Sequence, residues 1–236
     1  GAAGVDSFDG NGGNDILTGN GGADDLDGGG GNDSISGGAG NDIITTGAGN
    51  DTVTGGAGDD SITIAANYTL ADSIDGGDGT DTLAITTAAG TTTLTAGTVS
   101  NVETISITNA AGGANTLALA AISGVNAVTI AQSAGNQATS VTGLATGSTV
   151  TIEETAGVAY TVDTAAGATA TVLMGATLAG GGSVTVTDAA NVTLGGRAAT
   201  GDMVATALDA VDTTSLAINT TTTNDIDTGA ITGTDK

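Results

Sequence analysis

The chain has 236 residues, enough for one large domain or two small ones, and contains 42 Gly but no Pro, Cys or His. Without His or Cys, a Ser-His-Asp triad, a thiol nucleophile, a structural zinc site and a disulfide framework are excluded, so the chain is expected not to be an enzyme. Its 26 acidic residues face two basic ones, Arg197 and Lys236, a balance that repels nucleic acid and anionic membrane and attracts cations.

No apolar run is long enough for a membrane span, and the first residues have neither the basic nor the apolar region of a secretory signal. The chain opens at Gly1 rather than Met, as expected of a piece or processed product of something longer. Residues 1–83 hold 15 Asp and no basic residue, whereas residues 84–236 hold the other 11 acids and both basic residues. The composition changes with the charge, from Gly/Asp/Asn-rich to Thr/Ala/Val-rich, and this sets two regions, 1–83 and 84–236.

The first region is written in nines. From Phe8 the units read FDGNGGNDI, LTGNGGADD, LDGGGGNDS, ISGGAGNDI, ITTGAGNDT and VTGGAGDDS; a twelve-residue unit, ITIAANYTLADS, and a regular one, IDGGDGTDT, follow. The apolar position falls at Phe8, Leu17, Leu26, Ile35, Ile44, Val53, Ile62, Ile74 and Leu83. Each turn closes on an Asp: Asp6, Asp15, Asp24, Asp33, Asp42, Asp51, Asp60, Asp72 and Asp81.

Each nine pairs a short strand around one inward apolar residue with a glycine-rich turn, so two nines make one coil of a flattened, right-handed parallel solenoid. Turns alternate between two edges, which stacks carboxylates 18 residues apart: Asp6, Asp24, Asp42 and Asp60 on one edge, Asp15, Asp33 and Asp51 on the other. Calcium takes about six to eight hard oxygens, and two stacked turns offer two carboxylates and several carbonyls. One ion between each pair (6/24, 24/42, 42/60, 15/33, 33/51) makes roughly five sites. Asp72 and Asp81 would extend the rows, although the twelve-residue unit has Tyr68, Thr69 and Leu70 in place of glycines. An EF-hand through Asp25, Asp27 and Gly30 fails because Ser36 stands where a bidentate Glu is needed, and no glycine run opens a helix as a phosphate loop requires. Without cations, 15 uncompensated carboxylates and a thin core predict an unfolded segment, so ion binding supplies folding free energy.

The second region shows short alternating runs at 104–107, 116–120, 127–130, 149–152, 160–162, 169–173, 183–187 and 191–194. Their spacing predicts all-β structure, a β-solenoid or a β-sandwich, with the solenoid favoured by thin Ala, Thr and Val side chains. One helix is predicted over 202–211, with Val204, Leu208 and Val211 on one face. Glu153 and Glu154 are read as a solvated edge rather than an acid/base pair, since strand neighbours point to opposite faces. The threonine runs Thr91–Thr93 and Thr220–Thr223 lack the regular spacing of an ice-binding array, and Asp163, Asp188, Asp225 and Asp227 are read as solvated turn residues.

With these units and the passage GGDGTDTLAITTAAG…VSNVETISITN (76–109) in view, the chain resembles the RTX proteins of Gram-negative bacteria, most of all their surface-layer members. The resemblance carries the calcium role onto the Asp residues closing the turns and onto the carbonyls beside them. These include Gly28, Gly29, Gly30 and Gly31 before Asp33, and Gly37, Gly38, Ala39 and Gly40 before Asp42. It implies type I secretion, calcium-dependent folding outside the cell, and self-assembly of a structural protein into a surface lattice. No anchoring domain or persuasive secretion signal is recognisable, so both, and any contact with cell-surface polysaccharide, are expected outside this stretch. The alternatives are a calcium-stiffened adhesin segment and the accessory roll of a secreted protease or lipase.

Overall fold

A computed structural model describes residues 1, 3–64, 71–87, 91–93, 99–109, 115–119, 122, 124–132, 139–145, 147–152, 159–174, 183–196, 203–205, 207–210, 215–219, 226–228 and 231–232. They fall into two compact units: residues 1–88, 94–108 and 121–125, and residues 89–93, 109–120 and 126–236. All described regular structure is strand.

The first twelve strands are β1 (Ser7–Asp9), β2 (Ile16–Gly21), β3 (Asp25–Asp27), β4 (Ser34–Ala39), β5 (Ile43–Thr45), β6 (Thr52–Ala57), β7 (Ser61–Ile64), β8 (Ser73–Asp78), β9 (Thr82–Thr87), β10 (Thr91–Thr93), β11 (Val99–Ser100) and β12 (Thr104–Asn109). In the first unit they alternate between two sheets, β1-β3-β5-β7-β9-β12 and β2-β4-β6-β8-β11. This is the parallel β-roll that the nines predict: Leu26 aligns with Phe8 and Ile44, and Ile35 with Leu17 and Val53. The twelve-residue unit leaves the register intact, because Val53 still aligns with Ile74 and Ile62 with Leu83, each 21 residues on. Its extra residues, 65–70 with Tyr68, Thr69 and Leu70, lie outside the described residues.

Period-two alternation decides what faces the core. From Asp24 onward the closing Asp, the apolar residue two later and the residue four later are buried, as in Asp24, Leu26 and Gly28 or Asp33, Ile35 and Gly37. Leu26, Ile44, Ile62 and Leu83 are fully buried. Phe8 departs from the expected core: it is 37% exposed, since β1 ends its sheet and no described coil covers that side. Val99, Val102, Ile105 and Ile107 continue the core beyond the repeats.

The remaining strands are β13 (Asn115–Ala118), β14 (Ala127–Gln132), β15 (Thr139–Leu144), β16 (Thr149–Ile152), β17 (Ala159–Met174), β18 (Ser183–Gly196), β19 (Met203–Ala205), β20 (Ala207–Ala210), β21 (Ser215–Asn219), β22 (Ile226–Thr228) and β23 (Ile231–Thr232). Their pairs are parallel with coil repeats of 20 to 25 residues, as in Leu144↔Thr164, Ala127↔Thr149, Ser183↔Ala207 and Thr91↔Thr116. This is a solenoid rather than a sandwich, whose sheets are antiparallel. Val128, Val150, Val172 and Leu194 occupy one register column, while Val141 aligns with Val162 and Val162 with Val186. The runs predicted at 160–162 and 169–173 lie in the single strand β17, and those at 183–187 and 191–194 in β18.

The helix expected over 202–211 is replaced by strands β19 and β20. Leu208 aligns with Val184 of β18, and pairing with an existing parallel strand overrides a spacing signal carried by three residues. Asp163, Asp188 and Asp227 lie in strands rather than turns, and Thr91–Thr93 form β10. Glu153, Glu154, Thr220–Thr223, Val211 and Asp225 lie outside the described residues.

Candidate metal centre

The inward aspartates form two rows joined by one repeated hydrogen bond. In the first row the backbone N–H of Asp6 donates to Oδ1 of Asp24 (2.7 Å), that of Asp24 to Asp42 (2.8 Å), Asp42 to Asp60 (2.8 Å) and Asp60 to Asp81 (2.8 Å). In the second, Asp15 donates to Asp33, Asp33 to Asp51 and Asp51 to Asp72, each at 2.9 Å. All five pairs expected from the 18-residue spacing are therefore in contact, and Asp72 and Asp81 do extend the rows.

These bonds use one oxygen of each carboxylate that follows Asp6 or Asp15 in its row. Oδ2 is buried without a donor at Asp15, Asp24, Asp33, Asp42, Asp60 and Asp81. Native interiors seldom leave a charged acceptor unsatisfied, because the desolvation penalty is not recovered. Each such oxygen faces a space left by a glycine five residues earlier. A Cβ at Gly10 would lie 3.0 Å from Asp15 Oδ2 and 2.5 Å from the Gly28 carbonyl; one at Gly28, 2.7 Å from Asp33 Oδ2 and 2.5 Å from the Thr46 carbonyl. Gly19, Gly37, Gly55 and Gly76 face Asp24, Asp42, Asp60 and Asp81 in the same way. A carboxylate oxygen and a main-chain carbonyl thus converge on a pocket kept open by the missing side chain. That is the donor set of a hard cation such as calcium. Among the described residues no three carboxylates surround one point, so carbonyls are needed to complete any site.

The turn residues divide by role. Gly28 and Gly37 supply both an open pocket and a carbonyl facing the preceding one. Gly29 and Gly38 pack on the Asn11 and Asn20 carbonyls of the coil beneath, Gly30 bridges to Gly12 and Ala48, and Ala39 pairs with Gly21 and Ala57. Gly31 (φ +127°) and Gly40 (φ +130°) take a left-handed turn in which a side chain would run into the carbonyls of Gly13 and Gly22.

Burial pushes the carboxyls of Asp42, Asp51 and Asp81 above the ordinary carboxylate range and that of Asp60 up to about 6. The amide donated from the previous coil opposes the rise, and neighbouring carboxylates add to it. A cation between the turns would reverse both unfavourable contributions.

Three features lie outside the aspartate pattern read from the sequence. Glu103 ends the first row, its Oε2 accepting the N–H of Asp81 at 2.8 Å across 22 residues, a step found neither in the nines nor in the 21-residue spacing of the long unit. Thr46, a buried residue, stands five residues before Asp51, where the pattern has glycine. Outside the Asp rows run further side-chain steps: Asn50 donates its N–H to Asn32 Oδ1, and Asn32 to Asn14 Oδ1, both at 2.9 Å. Asp59 donates likewise to Asn41 (3.0 Å), and Thr80 to Asp59 (2.9 Å).

Stacked glycine turns with inward aspartates on both edges of a parallel solenoid define a calcium-binding β-roll. The family model "RTX calcium-binding nonapeptide repeat (4 copies)" matches residues 1–35, 27–62 and 71–84, together about a third of the chain. That segment carries RTX calcium-binding repeats. No curated protein and no solved structure matches it.

Proposed function

We propose that this is a non-catalytic structural protein that is exported by type I secretion, folds on calcium outside the cell and associates with copies of itself into a bacterial surface layer. The observation that carries the reading is the set of buried aspartate oxygens without donors, each facing a carbonyl across a glycine pocket. Asp6, Asp15, Asp24, Asp33, Asp42, Asp60 and Asp81 would hold the ions with the carbonyls opposite them. Calcium supplies charge neutralisation and a cross-link between coils.

The chain's own residues supply the rest. Backbone amides hold one carboxylate oxygen and aim the other, glycines clear the space, and Leu26, Ile35, Ile44 and Val53 exclude water. Where calcium is scarce, the like charges and many glycines favour an extended chain suited to export. Where it is plentiful, binding free energy becomes folding free energy. Self-association is supported by the apolar side chains on outer strand faces, Ile16 at 85% and Ile43 at 55% exposure, and by a second unit also built of stacked parallel strands.

The test is a calcium titration of the purified chain, following circular dichroism and particle size from chelator to millimolar calcium. The expected outcome is a coil-to-β transition with growth into ordered sheets. Folding to a monodisperse monomer would favour the adhesin or enzyme-accessory alternatives, and no response would overturn the calcium reading.

A further inference from the structure

The first carboxylate row runs past the nonapeptides. Asp81 is fully buried and its Oδ2 has no donor. A Cβ at Gly76 would lie 2.7 Å from that oxygen and would also collide with the main-chain carbonyl of Asn101. Asn101 therefore stands where a turn residue of the next repeat stands elsewhere in the row, although residues 101–103 belong to no repeat and lie beyond the family match at 84.

Several contacts hold this turn in place. Asn101 takes a left-handed conformation (φ +49°), and its Nδ2 donates to Asp75 Oδ1 at 2.7 Å. The Asp81 carbonyl accepts the N–H groups of Glu103 (3.2 Å) and Thr104 (3.0 Å). Glu103 Oε2 then accepts the Asp81 amide, the role an Asp plays at each earlier coil, with one more methylene to cover a 22-residue step. Residues 1–125 contain no Lys or Arg, so no basic side chain of this unit can neutralise the group. Burial raises the Asp81 carboxyl, and Glu103, Asp59 and Asp75 raise it further.

We infer that Asp81 Oδ2 and the Asn101 carbonyl, closed by the Glu103 carboxylate, form a calcium site outside the nonapeptide pattern. It rests on the calcium reading above and adds to it an ion that ties the first non-repeat coil to the roll. Calcium suits it better than magnesium, because carbonyl and carboxylate oxygens on separate coils make an irregular shell that magnesium's strict octahedron disfavours.

The experiment counts bound calcium per full-length chain by equilibrium dialysis and atomic absorption, with circular dichroism reporting the fold. Three variants are compared with the wild type: Asp24→Asn as a repeat site, Asp81→Asn, which keeps an acceptor for the Asp60 amide, and Glu103→Gln, which keeps one for the Asp81 amide. Asp24→Asn and Asp81→Asn should each lose one ion with β-structure retained, and Glu103→Gln should weaken one ion about tenfold or more. If Asp24→Asn loses an ion while Asp81→Asn and Glu103→Gln match the wild type, the added site is wrong and the repeat sites stand. If the wild type binds no calcium, the underlying reading fails first. Should Asp81→Asn not fold, Glu103→Gln decides alone, and unchanged count and affinity overturn the site.

Discussion

At the scale of single residues, the roll is an arrangement for burying acid. A carboxyl whose folded value is about 6, against an ordinary value near 4, favours its protonated form in the fold. For Asp60 the sign follows: the calcium-free fold is penalised at pH above 6, and the penalty fades as pH falls toward 4. Asp42, Asp51 and Asp81 shift the same way and add to the effect. In chelator, lowering the pH from 7 to 5 should therefore increase β-structure by circular dichroism, while in calcium the same change should weaken apparent affinity as protons compete. A β-signal that stays flat in chelator over this range would contradict the buried-carboxylate account. The aspartates and their rows were legible in the sequence because one residue type recurs at one spacing. Glu103 was not, since a different acid at 22 residues breaks both regularities.

At the scale of elements, alternation along each short strand separates neighbours sharply. Ile44 is fully buried between Leu26 and Ile62, whereas Ile43, the residue before it, is 55% exposed. Ile44→Ala should cost about 2–5 kcal/mol in calcium, while Ile43→Ala should stay within about 0.5 kcal/mol, measured by thermal or denaturant unfolding. Equal effects would mean that the strand faces are misassigned. The same alternation explains which parts of the fold could be read in advance. A nine-residue period places Leu17 to Leu83 in the core without knowledge of the partner coils, and the 21-residue steps show that an insertion between strands need not move the ladder. Across 202–211 the local pattern was ambiguous, and it took the aligned strand β18 to make the segment extended. Phe8 follows the pattern yet is exposed, because a pattern records the face and not whether a neighbouring coil covers it.

At the scale of the whole molecule, dependence on calcium should be uneven. The first unit buries its acids, whereas the buried Val128 and Val150 of one column and Val162 of another in the second are held by apolar packing and parallel ladders. In hydrogen exchange, chelation should therefore expose the amides of Asp24, Asp33, Asp42 and Asp60 while those of Val128, Val150 and Val162 keep their protection. Uniform loss in both units would show that their stabilities are not separable.

The amide-to-carboxylate bonds of the two rows all run one way, from the earlier coil to the later one. The roll therefore has a direction, and a coil placed before Asp6 would have to donate where a coil placed after Glu103 would have to accept. Copies meeting through the ends of their rows can do so only head to tail, as a heterologous contact that propagates. A two-fold axis, which pairs like with like, is incompatible with continuing the rows.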